Sequence, residues 1–264
     1  MSPLPLAHHV AACRTARLPG GRQPLSIGGE PVGWVQPAVA ERLPALDMTA
    51  GVLAQAARTL AGQGAFHWRG EAFDVRARTG GPVLAQIDRG ALPVFGIRAE
   101  GVHVNGLVHR PDGPHLWIAR RAADKPLDPG KLDHIVAGGV PAGLTPAETL
   151  VKEAAEEAAI PPALAEKAVP VGRLAYAMER PEGLRRDVLH LYDLLLPDGF
   201  TPRPADGEVE AFELWPVARV LETVRAGDAF KFNVNLVLID LFLRLGLVGP
   251  PEREALRAGL DAPE

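Results

Sequence analysis

Strand-like patterns of apolar and polar residues occupy the middle of the chain. Residues Gly101 to Arg110 alternate with a period of two, a PDGP turn follows, and His115 to Ala122 returns as a second strand. A third strand is predicted from Leu132 to the glycines Gly138 and Gly139. Further strand-like runs lie at 171–179, 187–196 and 210–215.

The clearest helical signal begins at Thr145. A threonine N-cap, Pro146 at the first helical position and Glu148 at the third combine into a capping box. At about 100° per residue, the leucine, valine and alanines that follow form one apolar face. On the other face, Glu153, Glu156 and Glu157 share an arc of about 100°. The helix is therefore predicted to bury one side and to present three carboxylates on the other.

The first 96 residues predict a small α+β domain, and the rest predicts a larger one. We place the boundary near Gly96, which gives an N-terminal domain at 1–96 and a second domain at 97–264. The N-terminal elements are a strand, Gly-Gly turn and strand at 24–35, a helix after Pro37, a helix at 49–60, and a hairpin at 66–78 that turns near Gly70. The second domain ends with helices at 216–225 and within 235–248. Together the elements predict an α/β (α+β) class, in which helices cover both faces of a mixed sheet.

Composition limits the partners and the location. The chain has 264 residues, 47% hydrophobic and 23% charged, which is typical of globular proteins and excludes disorder and coiled coils. The net charge of −4 gives no support for binding a nucleic acid polymer, and no 18-residue apolar run supports insertion into a membrane. Because Cys13 is the single cysteine and the first residues carry no leader pattern, we expect a cytoplasmic protein.

The three helix glutamates predict a metal site. An acidic helix face is often only a solvated surface, but here a strand that ends in Gly138 and Gly139 leads directly into the helix. Mg²⁺ takes oxygen ligands and commonly bridges protein carboxylates to substrate phosphates. We therefore expect a Mg²⁺ site, with Mn²⁺ as the alternative, and a small-molecule diphosphate as the partner.

Residues Gly138 to Ile160 resemble the Nudix box. The pattern of that box is Gly, five residues, Glu, seven residues, then Arg-Glu-aliphatic-x-Glu-Glu-x-Gly-aliphatic, and Gly138, Glu153, Glu156 and Glu157 match it in register. Three positions depart from the pattern: Leu144 replaces a glutamate, Lys152 an arginine and Ala159 a glycine. The resemblance implies a Nudix α/β/α sandwich and metal-dependent hydrolysis of a phosphoanhydride bond.

The flanking residues are similar to one branch of this superfamily, the thiamine-pyrophosphokinase-related Nudix hydrolases. The similarity rests on GVHVNG from Gly101, on WIARR from Trp117 with Lys125, on Leu132-Asp133-His134 and on KEAAEEA in the box. It extends over most of the chain, since Gly33-Trp34 and the segment from Asp88 to Gly96 resemble the N-terminal domain of that branch. The resemblance implies hydrolysis of thiamine diphosphate, and preferentially of its oxidised oxo and oxy analogues, to the monophosphates.

The resemblance also implies the roles of individual residues. Glu153 and Glu157 are the predicted catalytic residues, and the predicted metal ligands are Glu153, Glu156, Glu157 and, from a later loop, Glu208, with Glu210 as second candidate. The predicted substrate-binding residues are Arg120, Arg121, Lys125, Lys131, His134, Gly138 and Gly139. Since neighbouring strand residues point to opposite faces, at most one of the two arginines faces the site. Candidates for contact with an organic ring are Trp117, His134, Tyr176 and Tyr192.

The sequence leaves other functions open. The box alone equally permits a nucleotide or nucleotide-sugar diphosphatase, and Leu144 with Lys152 permits a diphosphate-binding sensor with weak catalysis. An isomerase on a Nudix-like fold needs a cysteine in the cleft, whereas Cys13 lies far outside the box. The sequence does not fix the oligomeric state, and a homodimer is one option.

Overall fold

The computed structural model describes residues 5–262. The outermost residues of the two predicted domains, 1–4 and 263–264, therefore lie outside the described part of the chain. Within residues 5–262, no helix is both long enough and apolar enough to cross a bilayer.

A mixed sheet of seven strands forms the centre of the molecule. The strands of the chain are β1 (Gln23–Ile27), β2 (Glu30–Val35), β3 (Asp47–Met48), β4 (Ala72–Val75), β5 (Ala85–Asp88), β6 (Arg98–Arg110), β7 (Gly113–Arg121), β8 (Leu132–His134), β9 (Val136–Gly139), β10 (Val169–Arg180), β11 (Gly183–Leu195) and β12 (Val209–Pro216). The large sheet has the order β10-β11-β6-β7-β12, with β8 on β7 and β9 on β6. Strands β6 and β11 are parallel, and the other pairs are antiparallel.

Helices cover both faces of this sheet. The helices are α1 (Leu6–Ala12), α2 (Pro37–Ala40), α3 (Ala50–Gly62), α4 (Leu92–Phe95), α5 (Pro146–Ala158), α6 (Pro162–Ala165), α7 (Val217–Ala226), α8 (Val234–Arg244) and α9 (Glu252–Asp261). On one face, Leu150 and Ala154 of α5 share a buried core with Val102 and Val104 of β6. On the other face, α8 is almost wholly buried, in a core with Ile118 of β7 and with Leu189 and Leu191 of β11. The predicted α/β fold with a mixed sheet between helix layers is confirmed.

Residues 23–97 form a second core beside the large sheet, which we call the N-terminal group. It contains a three-stranded sheet (β2-β1-β3), the hairpin β4–β5 and α3, packed around Leu25, Leu53 and Phe95. Helix α1 does not pack there, because its Leu6 and Val10 lie in the core beneath α8 and α9. Helix α1 thus precedes the N-terminal group in the sequence but packs with α8 and α9. The domain boundary near residue 96 stays a prediction.

Two sequence predictions about strands were wrong in detail. The segment 66–78 does not form a hairpin around Gly70, because β4 pairs with β5 across the loop 76–84. The amide of Gly70 instead donates to the buried carboxylate of Asp88, which also accepts from Arg69 and Gly90. The predicted strand from Leu132 to Gly139 is broken into β8 and β9 at Ile135, whose side chain is fully buried.

Helix α5 ends in a strained residue. Ala159 is the C-cap and has φ +52°, in the left-handed region where a side chain other than hydrogen is unfavourable. Its amide nevertheless donates to the carbonyl of Ala154, and the amide of Ile160 donates to the same carbonyl. The helix therefore terminates where the box pattern has glycine, and Ala159 adopts there a backbone conformation that is strained for alanine.

Replacing Ala159 by glycine should raise the free energy of unfolding by about 1 kcal/mol, because the left-handed strain is removed. Urea-induced unfolding followed by circular dichroism measures this change. The matched control is Ala155→Gly on the exposed face of α5, where glycine costs about 1 kcal/mol of helix stability. Equal destabilisation by both substitutions would contradict the strain at residue 159.

Candidate active site

The start of α5 is fixed by the predicted capping box. The Thr145 hydroxyl accepts from the amide of Glu148, and the Glu148 carboxylate accepts from the amide of Thr145 at 2.8 Å. These hydrogen bonds to Thr145 lower the pKa of Glu148. Because these hydrogen bonds satisfy two free backbone amides of the first turn, the helix begins at a fixed residue.

Glu153 packs directly against the end of β9. A Cβ atom added to Gly138 would lie 2.6 Å from the carboxyl carbon of Glu153, closer than any real contact. Glycine at this position therefore makes room for the Glu153 carboxylate beside the backbone. Burial raises the pKa of Glu153, Lys152 opposes the rise, and Glu156 and Glu208 add to it.

Glu157 lies one turn further and is buried, with 8% of its surface exposed. One carboxylate oxygen accepts from the amide of Ala137 at 2.9 Å, on the same strand end as Gly138. Burial raises the pKa of Glu157 well above its usual range, and the nearby carboxylates of Asp133 and Glu153 act in the same direction. Two acidic side chains are thus held together in a partly dry space.

Glu156 and Lys152 form the solvent edge of the site. Lys152 Nζ lies 2.5 Å from Glu156 Oε2 and 3.2 Å from Glu153 Oε1. The hydrogen bond to Glu156 is the main reason why the pKa of Lys152 is raised. Lysine at the position of the box arginine therefore links two glutamates of the site through a single ammonium group.

A fourth carboxylate reaches the site from the loop before β12. Glu208 is close enough to Glu153 to raise its pKa, and its own carboxylate pairs with Lys125. Glu210, the second candidate, instead accepts from the amide of Ala123 at 2.9 Å and holds the loop after β7. The structure thus brings Glu208 to the helix glutamates, while its role as a ligand stays a prediction.

This donor set fits a divalent cation. Glu153, Glu157 and Glu208 supply hard oxygen donors, and Gly138 leaves space where any other residue would place a Cβ atom. Like charges that raise one another's pKa are a common sign of a site that accepts positive charge. That these three carboxylates, with Glu156 at the rim, hold the metal stays a prediction, since among residues 5–262 the group of ligand atoms lying within 4.8 Å of one another is that of His103, Asp133 and His134.

A buried ion network lies next to the glutamates. Asp133 Oδ2 is 2.8 Å from Arg121 Nη1 and 3.4 Å from Lys231 Nζ, and all three side chains are largely buried. Burial by itself raises the pKa of Asp133, but Lys231 and the other positive groups outweigh it and hold that pKa well below its usual range. Lys231 comes from the connection between α7 and α8 and was missed by sequence reasoning, because no motif surrounds it.

The position of Arg121 corrects its predicted contact with substrate. Besides Asp133, its guanidinium donates to the carbonyls of Leu127 and Asp128, so its donors are used inside the protein. Among the other predicted cations, Lys125 pairs with Glu208, while Arg120 donates to the carbonyl of Gly130 and lies 3.9 Å from Glu213. Lys131 lies 3.7 Å from Asp128. Of these, Lys125 is the cation that the structure places beside a carboxylate of the site.

His134 also has a different environment from the one predicted. Its Nδ1 lies 3.0 Å from Nδ1 of His103, and both rings are buried. Together with Asp133 the two rings offer ligand atoms within 4.8 Å of one another. Because Arg121 and Lys231 already neutralise that carboxylate, an added divalent cation would meet two buried positive charges. The pair therefore suits a neutral hydrogen-bonded core better than a second metal centre.

The predicted ring-binding aromatics are mostly core residues. Tyr176 is fully buried and donates to Asp187, and Trp117 and Tyr192 belong to the core beneath α5. Cys13 is also fully buried, and burial raises the pKa of its thiol to about 12. Cys13 lies in the core with α8 and α9, so it does not supply the cleft cysteine that the isomerase alternative needs.

The N-terminal group holds the loop that leads into α5. The ring of Phe73 lies 2.6 Å from the position of a Cβ atom on Gly139, and the amide of Ala142 donates to the carbonyl of Ala72 at 2.8 Å. Gly139 therefore serves packing against the N-terminal group. Sequence reasoning missed this contact, because Phe73 lies in a segment without any catalytic pattern.

The chain is similar to several known proteins. The NUDIX domain model matches residues 99–234, a range that includes the box. Nudix hydrolases 20 and 24, both chloroplastic proteins of Arabidopsis thaliana, are each 44% identical over 182 residues, which is 69% of this chain and 49% and 50% of theirs. The chain thus spans about half the length of these curated relatives. The crystal structure of DR0079 from Deinococcus radiodurans is 24% identical with a TM-score of 0.49, over 64% of this chain and 97% of that one.

Replacing Gly138 by alanine should lower turnover by about 100-fold while the protein stays folded, because the Cβ atom displaces the Glu153 carboxylate. Phosphate release and circular dichroism of the same preparation give the two readings. Gly172→Ala is the matched control, since nothing lies within 4 Å of a Cβ atom on that strand residue. Undiminished activity of the Gly138 variant would show that the position of Glu153 does not matter.

The buried histidines should make stability fall in mild acid. Burial lowers the pKa of His134 to about 4, whereas the unfolded chain binds that proton near pH 6.5. The free energy of unfolding should therefore decrease by about 1.4 kcal/mol per pH unit for this residue between those two values. Urea unfolding measures this at several pH values. The free energy of unfolding of His134→Asn should change with pH by about 1.4 kcal/mol per pH unit less than that of the wild type in this range. Leu132→Ala in the same strand should lower stability without changing the slope.

Proposed function

The chain belongs to the NUDIX family, and from this premise we propose that it hydrolyses a phosphoanhydride bond of a small diphosphate compound. The observation that carries the proposal is the packing of Glu153 against a glycine whose missing side chain leaves it room, with the buried Glu157 and Glu208 each near enough to interact electrostatically with Glu153. The cofactor in this proposal is Mg²⁺ or Mn²⁺. A divalent cation at these carboxylates supplies charge neutralisation for the diphosphate oxygens and lowers the pKa of a bound water.

Individual residues of the chain have separate roles in the proposed reaction. Glu153 is partly buried and has a raised pKa, which suits it to accept a proton from the attacking water. Glu157 is anchored by the amide of Ala137 and keeps a fixed position relative to Gly138. Lys125 lies beside Glu208 and offers a cation to the non-bridging oxygens of the diphosphate. Lys152 fixes the spacing of Glu153 and Glu156.

The finer proposal concerns the substrate, for which we favour thiamine diphosphate and its oxo and oxy analogues, cleaved to the monophosphates. Support comes from the residues flanking the box, GVHVNG, WIARR and Leu132-Asp133-His134, which are similar to the thiamine-pyrophosphokinase-related branch. The same residues form the inner part of the large sheet, so the similarity lies close to the site. A nucleotide or nucleotide-sugar diphosphatase is the second candidate, because the box residues bind only the diphosphate.

Glu157→Gln should lower phosphate release at least about 100-fold, because a neutral amide replaces a buried negative ligand. Binding of Mn²⁺, followed by electron paramagnetic resonance, should weaken in the same variant. Glu254→Gln on the exposed face of α9 is the control and should behave as wild type in both assays. A Glu157 variant with unchanged turnover would remove this glutamate from the site and contradict the metal assignment.

The substrate is decided by product analysis with Mg²⁺ and a panel of diphosphates. The panel contains thiamine diphosphate, oxothiamine and oxythiamine diphosphates, ADP-ribose and oxidised deoxynucleotides. We expect monophosphate to appear fastest from the thiamine compounds. Turnover of the nucleotides alone would retain the hydrolase and discard the thiamine proposal, whereas binding without any turnover would support a sensor.

A further inference from the structure

A cavity of about 290 Å³ lies between the N-terminal group and the loop before α5. We propose that this cavity binds the organic ring of the substrate, and that it selects a ring with an amino group next to a ring nitrogen, as in an aminopyrimidine. The proposal deepens the proposed function and rests on it. The volume of the cavity is near the lower end of the range for small-molecule pockets, which suits a ligand of one or two rings.

The polar floor of the cavity is the pair formed by His190 and Glu100. These residues come from the parallel strands β11 and β6, and His190 Nε2 lies 2.6 Å from Glu100 Oε2. Both side chains are mostly covered, with 14% and 20% of their surface exposed. Among the described residues, the other oxygen, Oε1, has no hydrogen-bond partner assigned to it, so Glu100 can accept from an N–H group of a ligand.

A hydrogen-bond donor, Arg173, lines the same cavity. Arg173 lies opposite His190 in the β10–β11 pair. No hydrogen bond or ion pair joins its guanidinium to another side chain in the described range 5–262. Arg173 can therefore donate to a ring nitrogen while Glu100 accepts from the neighbouring amino group. An aminopyrimidine edge offers that combination of acceptor and donor.

The remaining walls are mixed. The polar residues among them are Asp74, Arg76, Thr79 and Thr145. The apolar part suits the face of a flat ring. Phe73 comes from the N-terminal group, and Val140, Pro141 and Leu144 come from the loop before α5. Leu144 occupies the position of a box glutamate, and here its side chain adds apolar surface to the cavity. Leucine in place of the box glutamate at position 144 thus contributes to the wall of the cavity.

The cavity is close enough to the carboxylates for one ligand to reach both. Val140 at its wall is two residues from Gly138, a span of about 7 Å in extended chain. Glu153 packs on Gly138. A ring in the cavity can thus extend its diphosphate towards Glu153 and Glu157 along the end of β9.

Binding of reaction products tests the cavity separately from catalysis. The full chain is titrated in a calorimeter with thiamine monophosphate and with AMP, which both carry the amino group beside a ring nitrogen but hold no phosphoanhydride bond. Each is compared with the analogue that has hydrogen in place of the amino group. We expect at least one of the two to bind, and to bind at least about tenfold more tightly than its analogue. Which one binds identifies the source of the ring.

Glu100→Gln and Arg173→Gln should each weaken that binding about tenfold or more, and Glu100→Gln should also reduce the discrimination against the analogue. Arg173 is exposed on its strand, so its variant tests the cavity even if the Glu100 variant fails to fold. Glu222→Gln on the exposed face of α7 is the matched control and should bind as wild type.

Two results would overturn the ring site: no binding of either monophosphate, or unchanged binding and discrimination in both variants. Neither result depends on hydrolysis, so the ring site can fail while phosphate release from diphosphates continues. Conversely, a chain that discriminates between the rings but yields no phosphomonoester product from any diphosphate of the panel keeps the ring site and refutes the proposed function.

Discussion

The structure depends on holding like-charged carboxylates together in a partly dry space. Glu153 and Glu157 stand one turn apart on a single helix, burial raises the pKa of both, and Glu153 adds to the cost of ionising Glu157. The helix can offer them only because its opposite face is anchored by Leu150 and Ala154 in the core of the sheet. The capping box at Thr145 fixes where the helix begins, and Gly138, which has no side chain, makes space for Glu153.

Positive charge from distant parts of the chain balances this acidity. Lys125 on the loop after β7 pairs with Glu208, and Lys152 bridges two helix glutamates. Deeper in the molecule, Asp133 ties Arg121 of β7 to Lys231 near the start of α8. A buried ion of either sign is costly alone. The network therefore joins the site to the helix layer on the far side of the sheet.

Local signals in the sequence predicted the site helix well, and contacts between distant segments could not be predicted. Thr145, Pro146 and Glu148 specify a helix start through atoms within four residues, so the pattern suffices. The hydrogen bonds of the Arg121 guanidinium depend on Asp133 and on the carbonyls of Leu127 and Asp128, which come near only in the folded protein. Pairing of β4 with β5, the burial of His134 on His103 and the contact of Phe73 with Gly139 likewise depend on tertiary packing.

The contact of the N-terminal group with the site loop also bears on the order in which the chain folds during synthesis. Domains generally form from the N-terminus as the chain emerges. Phe73 and Ala72 therefore exist as a surface before Gly139 and Ala142 are made, and the loop can condense on it. Helix α1 is in the opposite situation, because its partners α8 and α9 follow it by most of the described chain. The apolar face of α1 must therefore stay uncovered until α8 and α9 have been made.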